Sequence, residues 1–240
     1  MTRTWFITGT GTGVGKTVLT AAFARFLRER GVGVAALKPI SSGSRSDALA
    51  LRTAVDGALS LDEINPWHFR APLAPLVAAR LERKRVQLGE VLAHARWIQE
   101  RFDAVLIEGA GGILSPMGDG FNSRDLIVAL NAAPVVVTSN RLGAVNHVLL
   151  VLESLPRPAA SKAWVVLMSP RRPNSASRTN AGLLEEFLHR RRVLVFPWLE
   201  ADKRMFRASR EPRVVRLLHL LHCCRPGKSD RTAAFGTRAA

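Results

Sequence analysis

A glycine-rich turn between an apolar run and a helical pattern constrains this chain of 240 residues more than any other feature. The run from Thr4 to Thr8 is short and apolar, as a buried strand is, and a helix is predicted over Lys16 to Arg30. A turn of this kind points successive backbone N–H groups at one spot, and the helix dipole adds positive potential there. The sequence therefore predicts a phosphate site at Gly9-Thr10-Gly11-Thr12-Gly13-Val14-Gly15-Lys16-Thr17.

Two side chains at the start of that helix have the chemistry of a nucleotide site. Lys16 supplies a positive charge for β and γ phosphates, and the Thr17 hydroxyl suits the oxygen shell of Mg²⁺. The strict phosphate-loop pattern has glycine where this chain has Thr10, with Gly9 one position earlier, so the loop is a variant form. The residues expected to bind the nucleotide here are Gly13, Val14, Gly15, Lys16, Thr17 and Val18.

Further apolar runs alternate with helical patterns along the chain. Strands are predicted at Val32–Leu37, Ala104–Ile107, Pro134–Thr138, Trp164–Met168 and Val193–Phe196. Helices are predicted at Asp47–Ala54, Leu88–Arg101, Ser123–Ala132, Ala144–Leu155 and Ala176–Arg192. This order predicts an α/β fold like that of P-loop NTPases, a doubly wound and mostly parallel sheet with helices on both faces. Its ligand sites are expected at the carboxyl ends of the strands.

Charged residues follow two of these strands. Lys38 could neutralise a transferred phosphoryl group, although a lone lysine here is also typical of a solvated surface. Asp47 begins a helix, where capping is the simpler explanation. Glu108 ends a buried strand, where a carboxylate needs either a cation such as Mg²⁺ or a structural salt bridge. Glu108 is followed by Gly109, Ala110 and Gly111, small residues that would let a ligand approach the backbone.

Composition and charge exclude several classes of protein. With 47% hydrophobic and 22% charged residues the chain is globular and not disordered. No run approaches the length of a membrane span and the N-terminus lacks a signal-peptide pattern, so we expect no membrane association and a cytoplasmic protein. The net charge is +16, but residues 201–240 hold ten Lys or Arg against three acids. Because much of the excess, +7 of the +16, lies in this tail, nucleic acid is not an expected partner.

The sequence also predicts how the chain is divided. Residues 1–200 are expected to form the phosphate-loop domain and residues 201–240 a basic extension. Within the extension a helix is predicted from Pro212 to Cys224, followed by disordered residues. Because no motif lies in the extension, we expect it to be dispensable for the chemistry.

Taken together, the motifs resemble those of the dethiobiotin synthetase family over residues 4 to about 200. They occur in the order and approximate spacing of that family. Besides the phosphate loop they are Lys38-Pro39 with Ser42-Gly43-Ser44, Ser46-Asp47-Ala48-Leu49-Ala50-Leu51, Asn65-Pro66 with Phe69, Glu108-Gly109-Ala110-Gly111-Gly112, Arg141 to His147, and Pro197-Trp198-Leu199.

The resemblance implies a homodimeric, ATP- and Mg²⁺-dependent ligase. It would form dethiobiotin from 7,8-diaminopelargonate and CO₂ or bicarbonate, through a carbamate and a carbamic-phosphoric anhydride. The catalytic residues would be Thr12, Lys16 and Lys38. Substrate would be bound by Ser42 and, across the dimer interface, by Gly143, Ala144, Val145 and Asn146. Pro197 and Trp198 would contact the nucleotide, and Thr17, Asp47 and Glu108 would surround Mg²⁺.

The chain departs from that family at two places, and two other functions stay open. Gly11 and Gly13 replace acidic residues common in the family's loop. Leu167-Met168-Ser169-Pro170 replaces a segment that usually carries Asn, so we hypothesise a relaxed choice of nucleotide base. The alternatives are a DNA-associated partition-type regulatory ATPase and a nucleotide-binding homologue without turnover. Partition proteins usually carry a further lysine early in the loop, which Gly9 to Gly11 lack.

Overall fold

Six parallel strands form the central sheet of the part of the chain that this computed structural model describes, residues 2–188, 192–200 and 208–223. Each strand pairs with its neighbours in parallel, which confirms the predicted α/β sheet. In order across the sheet the strands are β2 (Val34–Leu37), β5 (Ala104–Glu108), β1 (Arg3–Gly9), β6 (Ala133–Ser139), β7 (Trp164–Met168) and β8 (Val193–Phe196).

Helices cover the sheet. Successive residues of a strand point to opposite faces, and every residue of β2 and β5 is buried, so both faces are packed. The helices of the described residues are α1 (Lys16–Arg28), α2 (Ser46–Ala54), α3 (Leu61–Ile64), α4 (Pro75–Leu81), α5 (Leu88–Gln99), α6 (Ser123–Ala129), α7 (Ala144–Glu153), α8 (Arg157–Ala160), α9 (Ser175–Leu188) and α10 (Pro212–Cys223).

Two predicted helices, α1 and α6, end earlier than expected because a left-handed residue follows each of them. Gly31 follows α1 with a φ of 76°, and the Val32 amide returns to the Leu27 carbonyl. Asn131 follows α6 with a φ of 48° and ends it in the same way. The apolar pattern continues past both residues, so periodicity alone overestimates the helix length. For the helix predicted to reach Arg192, residues 189–191 lie outside the described residues, and Arg192 itself is not helical.

A second, two-stranded sheet was not predicted. Its strands, β3 (Ile40–Ser42) and β4 (Trp67–Phe69), pair in parallel. Pro39 ends β2 because proline has no N–H to donate to the sheet, and the chain then leaves the central sheet for the small one. Both strands are three residues long and lack a continuous apolar run, so the sequence gives no strand signal there.

The strand order determines where the loops meet. Strand β1 lies between β5 and β6, and the chain leaves β1 toward β2 on one side while β6 begins the other side. In doubly wound sheets such a switch point opens a crevice outside the carboxyl ends of the strands. The ends of β1, β2 and β5 carry the phosphate loop, Lys38 and Glu108, so all three are brought to one crevice.

Helix α10 belongs to the same hydrophobic core as the sheet. Its buried side chains are Val214, Leu217, Leu218 and Leu221. The Arg3 guanidinium donates a hydrogen bond to the His222 carbonyl and lies over the Trp5 ring, so the helix is also tied to the start of β1. Residues 201–207 and 224–240 lie outside the described residues, including Cys224 and the predicted disordered end, so the division of the chain at residue 200 stays a prediction. Among the described residues, no helix has the length and apolar character that crossing a membrane requires.

Burial of α10 predicts a difference between two neighbouring leucines. Leu218 is fully buried, whereas Leu220 is 39% exposed on the same helix. Leu218→Ala is expected to lower the free energy of unfolding by about 2–4 kcal/mol, because it leaves a cavity in the core. Leu220→Ala should change it by less than about 0.5 kcal/mol. Denaturant titration of both variants measures this, and equal losses would contradict packing of α10 on the core.

Candidate active site

The phosphate loop has the backbone shape that anion binding needs. Gly13 and Gly15 adopt left-handed conformations with φ of 73° and 99°, and Gly15 leads directly into α1. A Cβ on Gly9 would lie 2.8 Å from Val14 Cγ2 and 3.1 Å from the Val137 carbonyl oxygen, so only glycine fits there. Glycine at these points lets the backbone N–H groups of the loop point toward an anion bound at the N-terminus of α1.

Thr10 accounts for the variant form of the loop. Its hydroxyl lies 2.8 Å from the Thr138 hydroxyl on β6, and its amide donates to the Val137 carbonyl. A side chain at this position thus anchors the loop to the neighbouring strand, which glycine could not do. The departure from the strict pattern therefore leaves the loop attached to the sheet.

Lys16 is a buried cation without a carboxylate hydrogen-bond partner among the described residues. Its Nζ donates to the carbonyls of Gly11 at 2.7 Å and Gly111 at 2.8 Å, and the residue is only 6% exposed. Burial, together with the nearby charge of Lys38, lowers the pKa of Lys16 to about 8. The ammonium group therefore lies where a negatively charged ligand would be strongly attracted.

Lys38 lies between two carboxylates. Its Nζ is 2.5 Å from Asp47 Oδ2 and 2.6 Å from Glu108 Oε1. Burial acts to lower the pKa of Lys38, but the charges of Glu108 and Asp47 outweigh it and raise the pKa above its ordinary value. In turn, burial acts to raise the pKa of Asp47, and the charge of Lys38 reverses this and lowers it. Lys38 and Asp47 are therefore both ionised at neutral pH.

Glu108 combines full burial with an oxygen that nothing satisfies. Oε1 accepts hydrogen bonds from Thr17 Oγ1 at 2.8 Å and from Lys38. Oε2 is buried and has no hydrogen-bond partner in the part of the chain that the structure describes. An unpartnered buried carboxylate oxygen is costly, so this atom is an open position for a cation or a donor.

These groups line one cavity of about 760 Å³. It brings together most of the residues that the sequence predicted: Thr12, Gly13, Gly15, Lys16, Thr17, Val18, Lys38, Ser42, Asp47, Glu108, Ala110 and Gly111. The Ser42 hydroxyl donates to the Leu73 carbonyl at 2.5 Å, so it presents its oxygen to the cavity as an acceptor. Pro72, Leu73 and Pro75 form an apolar wall that the sequence did not indicate.

A second cavity of about 330 Å³ lies on the other side of the phosphate loop. Val14, Pro197 and Trp198 line it, together with Met168, whose side chain packs against Gly15. The amide of Asn140, another lining residue, is already used: it donates to the Ser177 carbonyl and accepts from Asn180. The lining is therefore mainly apolar where it adjoins the loop.

Five predicted site residues line neither cavity. Gly109 packs against Ser123 and Phe6, where a Cβ would meet Ser123 Oγ at 2.7 Å, so its role is close packing behind the site. The other four lie at the start of α7 and are Gly143, Ala144, Val145 and Asn146. Gly143 precedes the helix in a left-handed conformation with a φ of 87°. Their predicted role across a dimer interface stays a prediction.

Sequence reasoning missed the importance of Asn65. It is fully buried, and its side-chain amide donates to the Lys38 carbonyl at 2.7 Å. The residue stood out only as part of Asn65-Pro66, and it precedes no predicted element. Nothing in its local pattern indicates that it contacts a residue 27 positions earlier in the chain.

Comparison with known proteins identifies the family of the chain. Residues 3–204 match the model of an AAA domain family. An ATP-dependent dethiobiotin synthetase BioD from Anaeromyxobacter sp. (strain K) is 39% identical over 201 residues, covering 82% of this chain and 90% of the relative. The enzyme of the same name from Bacillus velezensis is 36% identical over 189 residues, covering 76% and 81%. The chain belongs to the ATP-dependent dethiobiotin synthetase family.

A solved structure shares the fold at much lower identity. The ParA family ATPase from Chlorobium tepidum TLS superposes with a TM-score of 0.56 at 14% identity, covering 92% of this chain and all of that one. At this identity the likeness concerns the fold alone. It confirms the doubly wound, P-loop-type architecture of this dethiobiotin synthetase family member.

The burial of Lys16 predicts a stability that depends on pH. Because the pKa of Lys16 is about 8 in the folded protein and 10.5 in an unfolded chain, its charge destabilises the fold fully below pH 8. The penalty fades as the pH rises from 8 toward 10.5, where Lys16 has lost its proton in both states. Lys16→Met is thus expected to raise the free energy of unfolding at pH 7 by about 1–3 kcal/mol, with a smaller gain at pH 9.5.

The control for this prediction is Lys84→Met, since Lys84 is exposed and paired with Glu82. Relative to the wild type, Lys84→Met should not raise the free energy of unfolding more at pH 7 than at pH 9.5. Chemical denaturation at the two pH values measures both effects. A Lys16→Met protein less stable than the wild type at pH 7 would mean that the two carbonyl hydrogen bonds outweigh the cost of burying the charge.

Proposed function

We propose that this protein catalyses the ATP- and Mg²⁺-dependent closure of a ureido ring on 7,8-diaminopelargonate with CO₂, giving dethiobiotin. The single observation that carries the proposal is the placement of Lys38 and Lys16 around one cavity that begins at a phosphate loop. Family membership supplies the reaction, and the two cations supply the charge that such a reaction needs. We propose that the reaction takes place in the cytoplasm.

The reaction balances in three steps, each of which needs positioning and charge neutralisation. One amine of the substrate adds to CO₂ and loses a proton, which gives a carbamate. A carbamate oxygen attacks the γ-phosphorus of ATP and ADP leaves, forming a carbamic-phosphoric anhydride. The second amine then attacks the carbonyl carbon, phosphate leaves with the electron pair of the C–O bond, and the amine loses a proton. No covalent bond to the protein is needed.

In this scheme Lys38 stabilises the carbamate and the oxygens of the phosphoryl group in transfer. Thr12 and Ser42 hold the carbamate or the amine by hydrogen bonds, since both line the same cavity. Lys16 binds the β and γ phosphates, which would replace the carbonyls of Gly11 and Gly111 as its partners.

The residues also fit a magnesium ion. Glu108 offers a buried carboxylate oxygen that has no hydrogen-bond partner among the described residues. The Thr17 hydroxyl, which donates to the other oxygen of Glu108, lies beside it, and Asp47 provides a second carboxylate that lines the cavity. Two carboxylates and a hydroxyl suit Mg²⁺, which keeps several waters and phosphate oxygens in its shell. When bound, the ion would neutralise charge on the phosphate oxygens. The residues of this chain hold those oxygens in line with the attacking carbamate.

For the nucleoside we propose the cavity lined by Val14, Met168, Pro197 and Trp198. It adjoins the phosphate loop, and its apolar lining would hold a base by shape and contact. The hypothesis of relaxed base choice stays a prediction, which a comparison of rates with ATP, GTP and CTP tests.

We also propose that the enzyme acts as a homodimer, with the start of α7 receiving the substrate's carboxylate end in the partner's site. Helix N-termini favour carboxylates, and Gly143 begins this one. Nearby apolar side chains support an interface, since Leu142 is 87% and Leu150 61% exposed. The substrate's free carboxylate gives such a contact something to recognise.

The experiment for the proposed function is phosphate release measured with and without 7,8-diaminopelargonate. Turnover is expected to need ATP, Mg²⁺, bicarbonate and the diamine together, because the substrate supplies the nucleophile. Product is identified as dethiobiotin by mass. Hydrolysis of ATP without the diamine, or its stimulation by DNA, would support a regulatory ATPase instead, and binding without turnover would indicate an inactive homologue.

Lys38→Ala is expected to lower turnover at least about tenfold and up to about a hundredfold, since it removes a preorganised charged donor. MgATP binding should survive because the phosphate loop is intact, and calorimetric titration checks this. Arg70→Ala is the matched control, since its side chain is 91% exposed and, within the described residues, forms only a long ion pair with Glu82. Near-wild-type turnover by Lys38→Ala would remove Lys38 from the mechanism.

A further inference from the structure

Asn65 is buried at the turn that carries Lys38, and its side chain is fully engaged there. Its Nδ2 donates to the Lys38 carbonyl at 2.7 Å and lies 3.4 Å from the Pro39 carbonyl. Its Oδ1 accepts from Ser41 Oγ at 2.9 Å. The Lys38 amide in turn donates to the Ile64 carbonyl at 3.0 Å. Both backbone polar groups of Lys38 are therefore held by the consecutive residues 64 and 65.

The same amide also reaches the segment that carries Asp47. Arg45 Nε donates to Asn65 Oδ1 at 3.2 Å, and Arg45 Nη2 donates to the Asn65 carbonyl at 2.9 Å. Arg45 immediately precedes α2, whose first turn holds Asp47. One buried side chain thus connects the backbone of Lys38 with the helix that supplies one of its two carboxylate partners.

From these contacts we infer that Asn65 is a positioning residue, which fixes the Lys38 ammonium in the active site by holding the Lys38–Pro39 turn and the start of α2. The inference rests on the proposed function, because Asn65 affects the reaction only through Lys38. Asn65 itself does not line the cavity that contains Lys38. It is therefore no candidate for direct contact with substrate.

The physical reason is the length of the lysine side chain. Four methylene groups give it many rotamers, so the ammonium is defined only when both ends of the chain are fixed. Glu108 and Asp47 fix the ammonium end. Asn65 fixes the other end, because without it the Lys38 carbonyl is left buried without that hydrogen bond and the turn is free to shift. A shift of about 1 Å at a reacting centre is enough to cost up to about a hundredfold in rate.

A double-mutant cycle tests the inference on the full-length enzyme. Turnover is measured for the wild type, Asn65→Ala, Lys38→Ala and the double variant, with the KM for ATP determined for each. Asn65→Ala is expected to lower kcat about tenfold or more while the KM for ATP changes less than about threefold. In the Lys38→Ala background the same change should lower kcat by less than about twofold, since the group on which it acts is gone.

Two further variants separate positioning from stability. Asn65→Asp keeps an oxygen toward Ser41 and Arg45 and removes the N–H donors to the turn, so it should reproduce the loss even if Asn65→Ala folds poorly. Ser60→Ala removes the cap of α3, immediately before Asn65, without touching the amide. It should lower Tm and leave kcat within about twofold of the wild type.

The outcomes distinguish the two proposals. If Lys38→Ala turns over normally, the role of Lys38 in the proposed function is wrong and the inference falls with it. If Lys38→Ala is slow but the losses from Lys38→Ala and Asn65→Ala multiply, Asn65 acts on stability or on another group, and only the inference is overturned. A kcat of Asn65→Asp equal to that of the wild type overturns it as well.

Discussion

The rest of the site depends on the ion pairs that Lys38 forms with Glu108 and Asp47. Glu108 ends a strand in the centre of the sheet and is completely buried, where an isolated carboxylate would be unstable. The Lys38 ammonium donates to one oxygen of Glu108 and reaches a second carboxylate, Asp47, so the three groups are held within hydrogen-bond distance at the carboxyl edge of the sheet. Strand β2 must end where it does for this to happen, and Pro39 ensures that it does.

Holding these charges requires a scaffold that lies outside the central sheet. The turn after β2 leads into the small sheet of β3 and β4, and Pro39 accepts a hydrogen bond from the Trp67 amide. Asn65 lies between those strands in sequence and connects to the Lys38 backbone. The region that has the weakest secondary-structure signal in the sequence is thus the one that orients the catalytic candidates.

The central features of the fold and of the site could be predicted because they follow from local patterns. Continuous apolar runs correctly located the six strands of the main sheet, and the glycine spacing located the phosphate loop. Glu108 and Lys38 could be proposed because each follows a strand. The small sheet and Asn65 could not, since three-residue strands have no periodicity and the contact with Lys38 is made by the folded chain. The ends of α1 and α6 were misjudged because left-handed residues, and not a change in hydrophobicity, terminate those helices.

The two lysines of the cavity differ in a way that explains how the site is poised for an anion. Lys38 has two carboxylate partners, which balance its charge. Lys16 donates to two carbonyls and, among the described residues, to no carboxylate, so its ammonium group is held in place by backbone dipoles. Burial therefore destabilises its charged form, and the destabilisation is relieved when an anion enters the loop. In the proposed function the phosphates of ATP are that anion, so part of the free energy of nucleotide binding comes from satisfying a charge that the fold has already buried.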